Sequence, residues 1–251
     1  MELLHTERVD HVMLWTMNHP PVNAISFDLL TALAEALDQA ESDPSIRAVV
    51  LAGQPHAFAA GADISGFVTL GGRIQDFLAA GVTLFERIER GTKPVVAAIE
   101  GVALGGGNEL AMACDVRVAG PDARFGQPEV NLGIIPGWGG TVRLPRLIGR
   151  SRAAGLLLTG NAMDSAEAYR VGLVGHLAET GLVIDYAMNV AERLASLPPL
   201  ALAAIKRLLA APDGDLQSLE TEAMKQLMAT ADATEGIMAF MEKRRPRFQG
   251  R

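Results

Sequence analysis

A run of three glycines followed closely by a glutamate is the part of the sequence best suited to chemistry. Gly105, Gly106 and Gly107 come after an apolar run and before residues that favour a helix, which predicts a strand, a tight turn and a helix. The first N–H groups of that helix would lack intrahelical partners and could hold an anion. Glu109 would lie beside them, and an acid or base next to preorganised donors is a catalytic arrangement. The alternative, for these residues alone, is a plain connection with a solvated glutamate.

The composition argues against several classes of function. The chain has 251 residues, of which 49% are hydrophobic and 20% charged, so it is globular and long enough to bury a large core. The net charge of −7 argues against a general binder of nucleic acid or of anionic membranes. No apolar run is long enough to cross a bilayer and the N-terminus has no signal-peptide pattern, so we expect a cytoplasmic protein.

The sequence does not indicate a metal site or an activated nucleophile. The five histidines are scattered without metal-ligand spacing, and the single cysteine, Cys114, lies among apolar residues as a core residue would. No serine stands in a nucleophile elbow, and the glycine clusters complete neither a phosphate loop nor a dinucleotide fingerprint. We therefore expect neither a metal nor a redox cofactor.

The elements that would position Glu109 follow an α/β order. Hydrophobic patterning predicts strands over residues 11–17, 46–51, 95–99 and 116–119, and helices after Ser26 and over residues 74–90. We expect the first helix to bury Leu29, Leu30, Leu33 and Leu37, and the second to bury Phe77, Leu78, Val82, Phe85 and Ile88. The segment 125–140 is too rich in proline and glycine for regular structure.

Beyond Gly140 the sequence predicts an all-helical tail. The predicted helices cover residues 141–148, 152–158, 165–171, 182–197, 200–210, 216–229 and 234–244. An apolar stripe of Leu202, Ile205, Leu208 and Leu209 indicates an oligomer interface, with burial against the chain's own core as the alternative. We expect residues 1–195 to form the core with the active site and residues 196–251 to form a helical oligomerisation region.

Several motifs in fixed order resemble those of the enoyl-CoA hydratase (crotonase) family. They are IEGVALGGGNELAMACD and FGQPEVNLGIIPGWGGTVRLPRLIGR in the middle of the chain, PPVNAIS and AFAAGADI before them, and FMEKRRPRF near the C-terminus. The resemblance covers nearly the whole chain. It implies an α/β fold, a spiral of ββα units followed by helices that build homotrimers, which are usually paired into homohexamers. It also implies acyl thioesters of coenzyme A as substrates.

The resemblance assigns roles to individual residues. It implies two catalytic carboxylates, Glu109 and Glu129, and an oxyanion hole formed by the backbone amides of Ala62 and Gly106. The other implied substrate-binding residues are Ala60, Asp63, Ile64, Gly105, Gly137, Phe240 and Lys243. Among these, the amide of Gly137 would help to hold a water, and Phe240 and Lys243 would reach the coenzyme bound by a neighbouring subunit.

The sequence departs from the family pattern at two positions. Ser65 stands where the family member most readily compared has a lysine after the GADI motif, which puts one nucleotide contact in doubt. Asn108 stands where a cysteine is frequent, and we expect that change to be tolerated.

The pair of glutamates favours hydration of a 2-enoyl thioester, because relatives that only shift a double bond generally keep one carboxylate. The alternatives are a Δ3-Δ2-enoyl-CoA isomerase and a non-catalytic subunit that binds acyl-CoA or a protein, while a thioester hydrolase has less support. The coenzyme would arrive as part of the substrate, so no separate cofactor is expected. The acyl chain length and the pathway, whether fatty-acid β-oxidation or amino-acid or aromatic degradation, stay open.

Overall fold

The strands of the protein form two sheets. The computed structural model describes residues 2–65, 71–212 and 214–251. In spatial order, the six-stranded sheet contains β1 (Leu4–Val9), β2 (Val12–Met17), β3 (Ala48–Ala52), β5 (Val95–Ile99), β7 (Val116–Ala119) and β10 (His176–Leu177). The four-stranded sheet contains β4 (Ala57–Ala59), β6 (Val102–Leu104), β8 (Arg124–Gly126) and β9 (Ala162–Asp164). The β1–β2 and β8–β9 pairs are antiparallel, and the other neighbours are parallel.

Helices cover the sheets and make up most of the C-terminal third. They are α1 (Phe27–Ser42), α2 (Ile74–Arg90), α3 (Gly106–Ala113), α4 (Gly140–Ile148), α5 (Arg150–Thr159), α6 (Ser165–Arg170), α7 (Val183–Ala195), α8 (Pro199–Leu209), α9 (Leu216–Met228) and α10 (Ala231–Met241). Short 3-10 turns cover Gly71–Arg73 and Pro128–Leu132. Among the described residues, no helix combines the length and the apolar character that a membrane crossing requires.

A repeating unit relates the two sheets. Three times, two consecutive strands of the chain lie in different sheets. The first strand belongs to the six-stranded sheet and the second to the four-stranded sheet, in β3 and β4, β5 and β6, and β7 and β8. A helix follows each of the first two pairs, α2 after β4 and α3 after β6. This arrangement is the spiral of ββα units that the sequence motifs imply, and the α/β expectation is confirmed.

The central strands β3 and β5 of the large sheet are buried on both faces, which explains their apolar sequences. In β3, Val49 and Leu51 pack into the core shared with α1, α2 and α3, while Val50 faces the opposite side. There α7 covers the sheet with small residues one turn apart, Val183, Ala187, Ala191 and Ala195. Strands that are buried on both faces read as continuous hydrophobic runs rather than as alternating ones. The predicted central strands are confirmed, and their burial on both faces explains why the sequence reveals them.

The helix α1 also begins as predicted. The Ser26 side-chain oxygen accepts a hydrogen bond from the amide of Leu29 at 3.1 Å, which is the N-cap interaction expected of a serine in this place. The apolar face of α1 is buried at all the positions that the sequence indicates, Leu29, Leu30, Leu33 and Leu37.

The prediction for the inward face of α2 was wrong at two positions. Phe77, Phe85 and Ile88 are buried, whereas Leu78 and Val82 are each 38% exposed. The buried stripe runs instead through Gly81 and Leu84. The reason is the close approach of the Trp138 indole to Gly81, where a β-carbon would overlap the ring. Because α2 is rotated so that Gly81 faces inward, Leu78 and Val82 lie at the edge of its buried face.

The predicted all-helical tail was also wrong in part. Two short strands, β9 and β10, interrupt the helices and extend the small and the large sheet, respectively. Strands of three and two residues are too short to show a period in the sequence. β1 was not predicted either, because its residues after Leu4 are exposed and mostly polar, as an edge strand allows.

The C-terminal helices leave an apolar face uncovered within the single chain. In the predicted stripe, Ile205 and Leu209 are exposed, Leu209 to 81%, while Leu202 and Leu208 are half-buried. Beside this stripe on α8, the buried ammonium of Lys206 donates to the carbonyl of Ile88 at 3.0 Å and to the carboxylate of Asp115. This buried ion pair anchors α8 to the core. The division after residue 195 and the role of the tail in oligomerisation stay predictions.

Candidate active site

The glycine run allows α3 to begin very close to the strands β4 and β8. Gly105 has a φ of +51°, a conformation that glycine adopts at little cost, and its amide donates to the carbonyl of Gly126 at 2.9 Å. A β-carbon on Gly107 would overlap the backbone carbonyl of Ala59. The first intrahelical bond of α3 runs from the amide of Glu109 to the carbonyl of Gly105, at 2.9 Å. The amide of Gly106 therefore precedes the hydrogen-bond ladder of the helix.

The amide of Ala62 lies next to this helix start. Ile25 pairs with Ala62 in a parallel bridge, in which the Ile25 amide donates to the carbonyl of Gly61 at 2.8 Å and the Asp63 amide donates to the carbonyl of Ile25 at 2.9 Å. Successive peptide groups of an extended segment point to opposite sides, so the N–H of Ala62 faces away from Ile25. An ideal β-carbon on Gly106 would lie only 3.3 Å from the Ala62 nitrogen. The two amides that the motifs indicate are thus neighbours in space.

Glu109 is buried and held by two backbone amides. Glu109 is 1% exposed, and its Oε1 accepts hydrogen bonds from the amides of Trp138, at 2.8 Å, and Gly140, at 2.7 Å. Burial raises the pKa of the Glu109 carboxyl to about 7, although the two amide bonds act to lower it. Such a carboxyl can change its protonation near neutral pH, which is the property required of an acid or base.

The Glu129 carboxylate lies over the start of α3. Glu129 belongs to the 3-10 turn Pro128–Leu132, in which Pro128 occupies the first position. An ideal β-carbon on Gly105 would lie 3.0 Å from Glu129 Oε1, so the carboxylate packs directly against the glycine run. With the Gln127 amide assigned in the orientation that satisfies its hydrogen bonds, its NH2 group donates to Glu129 Oε1 at 3.0 Å and to Oε2 at 3.2 Å. Burial raises the pKa of Glu129 as well, and its charge contributes to the raised pKa of Glu109. The two carboxyls are therefore electrostatically coupled.

One cavity joins these groups. It has a volume of about 720 Å³ and is lined by Glu109 and Glu129 and by the oxyanion-hole candidates Ala62 and Gly106. Four other residues indicated by the motifs also line it, Ala60, Ile64, Gly105 and Gly137. Further lining residues are mostly aliphatic, among them Ile74, Leu78, Leu132, Ile134 and Ile135. The structure thus combines two carboxyls and backbone amides with a mostly apolar lining, as in small-molecule sites.

Three of the indicated residues do not line this cavity. Asp63 follows Ala62, but its carboxylate accepts hydrogen bonds from Ser65, from the amide at 3.1 Å and the hydroxyl at 2.5 Å. Phe240 lies in the last turn of α10 and is 84% exposed, and Lys243 is exposed just beyond that helix. Their expected contact is with the coenzyme of a neighbouring subunit, which a single chain does not test.

The residues that hold Glu109 were missed by the sequence reasoning. Trp138 and Gly140 act through backbone amides, so their side-chain types gave no sign of this contact. The only available signal was the glycine-rich WGG sequence, in which Gly139 has a φ of +106° and permits the turn that points both amides at one oxygen. Gln127 was missed as well, although it stands two residues before Glu129 in the quoted motif.

Asn108, which departs from the family pattern, has an unusual environment. It is completely buried in α3, and neither its Nδ2 nor its Oδ1 has a hydrogen-bond partner among the described residues. Leaving a buried amide unpaired costs about 1–3 kcal/mol. We therefore expect Asn108→Cys, which has nearly the same volume, to raise the unfolding free energy by about 1–2 kcal/mol, measured by chemical denaturation.

Asn23 provides the matched control for this substitution. It is equally buried, but its Nδ2 donates to the carbonyl of Ala57 at 2.9 Å and its Oδ1 accepts from the amide of His19 at 2.8 Å. Asn23 also has a φ of +51°, which asparagine tolerates better than cysteine. Asn23→Cys should therefore destabilise the protein. Destabilisation by Asn108→Cys would show that the Asn108 amide is satisfied in solution.

Comparisons with known proteins identify the family of the chain. The family model described as enoyl-CoA hydratase/isomerase matches residues 7–251. The chain is 43% identical to a Bacillus subtilis protein named "Probable enoyl-CoA hydratase" over 95% of each chain, and 40% identical to the 2,3-dehydroadipyl-CoA hydratase of Escherichia coli over the full length of both. Its fold matches the crystal structure of an enoyl-CoA hydratase from Bacillus anthracis with a TM-score of 0.94 and 35% identity over all of both chains. The chain is therefore an enzyme of the enoyl-CoA hydratase/isomerase family.

Proposed function

We propose that this enzyme adds water across the C2–C3 double bond of a 2-enoyl thioester of coenzyme A to give the 3-hydroxyacyl thioester. The observation that carries the proposal is the meeting of Glu109 and Glu129 in one cavity with Ala62 and Gly106. Hydration needs a group that takes a proton from water, a group that gives a proton to C2, and donors for negative charge on the thioester oxygen. The cavity contains candidates for all three roles.

In the proposed mechanism, the two carboxyls act on opposite ends of the double bond. Glu109 and Glu129 orient the water, and Glu109 takes its proton as the oxygen bonds to C3. The amides on Oε1 fix the Glu109 carboxylate and leave Oε2 to accept this proton. The π electrons move towards the thioester carbonyl to give an enolate, which then takes a proton at C2 from Glu129. The raised pKa of Glu129 supports this role, because the carboxyl keeps its proton to a higher pH.

The backbone amides of Ala62 and Gly106 would stabilise the enolate. Both belong to small residues that leave room for a thioester oxygen, and both residues line the cavity. Removing one donor of this kind typically costs about 3–4 kcal/mol of transition-state stabilisation. Because these donors are part of the backbone, they are fixed before the substrate binds. In the same proposal, the amide of Gly137 helps to hold the water, and Ala60, Asp63, Ile64 and Gly105 contact the substrate.

The proposal is tested with crotonyl-CoA and a 3-enoyl-CoA. Hydration removes the absorbance of the conjugated thioester, and we expect the enzyme to turn over crotonyl-CoA and to give a product heavier by one water. Turnover of the 3-enoyl substrate without turnover of crotonyl-CoA would instead identify an isomerase. Release of free coenzyme A would identify a hydrolase, and binding without any turnover would identify a non-catalytic subunit.

The cavity wall predicts the class of acyl group. The side chains of Ile74, Leu78, Leu132 and Ile134 present an apolar surface, and the lining within the described ranges contains two carboxylates and no basic residue. Transfer of an unpaired carboxylate to such surroundings costs several kcal/mol. We therefore expect kcat/KM for 2-hexenoyl-CoA to exceed that for 2,3-dehydroadipyl-CoA at least about tenfold, although the Escherichia coli relative is named for the latter.

These two substrates form a matched pair. Their acyl chains have the same length and differ only in the terminal carboxylate. Equal values of kcat/KM would show that the terminal carboxylate does not meet the apolar wall.

We also propose that the coenzyme contacts a second copy of the chain. The exposed apolar face of α8 supports an oligomer, because a monomer rarely leaves such a surface uncovered. The motif resemblance implies that this oligomer is a homotrimer or a pair of trimers. Phe240 and Lys243 would then contact the coenzyme held by the adjacent copy, as the motif resemblance implies.

A further inference from the structure

A buried ion pair lies behind the loop that holds Glu109. Arg143, in the first half of α4, is 7% exposed, and its Nε and Nη2 donate to Glu89 Oε2 at 3.1 and 2.8 Å. Its Nη1 donates to the carbonyl of Trp138 at 2.7 Å. One guanidinium thus joins α2 to the segment between the 3-10 turn and α4.

The contact with Trp138 acts on the same residue that binds Glu109. The carbonyl of Trp138 faces Arg143, while its amide donates to Glu109 Oε1 at 2.8 Å. Gly140, two residues on, donates the second hydrogen bond to this oxygen at 2.7 Å. Between them, a β-carbon on Gly139 would overlap the guanidinium, so Arg143 fills the inside of this turn. The orientation of both amides therefore depends on a turn that Arg143 fixes from behind.

Glu89 holds the guanidinium in this place. Its carboxylate receives two of the donors of Arg143, and a guanidinium fixed at two points has little freedom to rotate away from the Trp138 carbonyl. The ion pair is largely buried, with side-chain exposures of 8% for Arg143 and 24% for Glu89. A buried ion pair contributes little to stability compared with apolar packing, so stability alone gives a weak reason for one here.

We infer that Arg143, held by Glu89, is a positioning residue for Glu109: it fixes the turn whose two amides orient the Glu109 carboxylate in the cavity. This inference rests on the proposed function, in which Glu109 takes a proton from water. Arg143 does not line the cavity among the described residues, so it acts through the backbone and through its charge. It would affect turnover more than substrate binding.

The charge of Arg143 gives the inference a readout of its own. The charged groups that act on Glu109 are Glu129, from the 3-10 turn, which raises its pKa, and Arg143, from α4, which lowers it. Loss of Arg143 removes a positive charge and loosens two amide donors, and all these changes raise the pKa of Glu109 further. At low pH the variant then has less ionised Glu109 than the wild type, whereas at high pH both are fully ionised.

The test uses Arg143→Gln, Arg143→Lys and Glu89→Gln, with Arg87→Gln as the matched control. Arg87 lies on α2 and pairs with Asp38 and Glu41 at 2.6 and 2.8 Å, away from the cavity. We expect Arg143→Gln to lower kcat roughly 10- to 100-fold with a much smaller change in KM. The loss should be larger at about pH 6 than at about pH 9. Arg143→Lys should retain more activity, Glu89→Gln should show a smaller loss with the same pH trend, and Arg87→Gln should match the wild type.

Two results would overturn the inference. One is a folded Arg143→Gln or Glu89→Gln protein with wild-type kcat, and the other is a loss that is equal at both pH values, as a general loosening of the fold would give. If Arg143→Gln does not fold, Glu89→Gln decides by the same criteria.

A second measurement separates this inference from the proposed function. The titration of Glu109 is followed as the pH dependence of the stability difference between each protein and its Glu109→Gln derivative. It should move to higher pH in the Arg143→Gln background, whether or not crotonyl-CoA is hydrated. An unchanged titration would overturn the inference and leave the proposed function intact.

Discussion

Replacing Glu129 by glutamine is expected to lower kcat for crotonyl-CoA hydration by about 10²- to 10⁴-fold, the usual contribution of a general acid or base. Glutamine keeps the size of the side chain and its packing against Gly105, but it has no acidic proton to give to C2. The thioester would still bind, because the amides of Ala62 and Gly106 are unchanged. Steady-state rates give kcat, and calorimetry with a non-hydratable acyl-CoA gives the affinity.

The control for this substitution is Glu220→Gln, which removes the same charge from an exposed position of α9. We expect wild-type activity from it. Activity of Glu129→Gln within a few-fold of the wild type would remove Glu129 from the proposed role.

Replacing Glu109 by glutamine should lower turnover by a similar factor. The same replacement should raise the stability of the folded protein. The side-chain oxygen of the introduced glutamine can accept the same two amide hydrogen bonds, so the loop around Trp138 and Gly140 is kept. The amide group cannot accept a proton from water at the working pH, and we expect a loss in kcat of about 10²- to 10⁴-fold. The stability effect follows from the cost of burying a charged carboxylate.

The sign of the stability effect depends on pH. The pKa of Glu109 is about 7 in the folded protein against a model value of 4.5, so the folded state binds more protons than the unfolded state between these values. The stability that Glu109 contributes is complete below pH 4.5 and is lost as the pH rises through 7. A glutamine does not titrate, so Glu109→Gln should gain stability over the wild type across this window, by on the order of 3 kcal/mol in all.

Denaturant unfolding of both proteins at about pH 5 and about pH 8 measures this gain. Taking the difference between the two proteins cancels the titration of the groups that are not coupled to Glu109. A stability difference that does not change with pH, or that shrinks as the pH rises, would show that Glu109 is not raised in pKa by its burial.

The sequence predicts the local parts of this site and misses the parts that depend on distant contacts. The glycine run, the start of α3 and the position of Glu109 follow from helix chemistry over a few residues. The placement of Glu129 came from the family resemblance alone, because the proline- and glycine-rich segment around it has no period from which a position could be read. No local rule relates Glu109 to Trp138, since the contact joins a side chain to a backbone amide 29 residues later.

The fold shows the same division. The strands β3, β5 and β7 and the buried face of α1 were predicted because long apolar patterns determine them. Leu78 and Val82 were placed wrongly, because the orientation of α2 depends on how closely the Trp138 ring approaches Gly81, which only the assembled structure defines. Arg143 gave no functional signal in the sequence, where it reads as one of several basic residues in the segment that became α4.

The hydration rate of the Glu109→Gln/Glu129→Gln double variant tests most directly whether the two carboxyls act as one unit. If both act in the same addition of water, removing the second after the first should cost little more, and the double variant should be about as slow as the slower single variant. Losses that multiply, or a single variant that keeps nearly the wild-type rate, would contradict the joint action of Glu109 and Glu129 in this cavity.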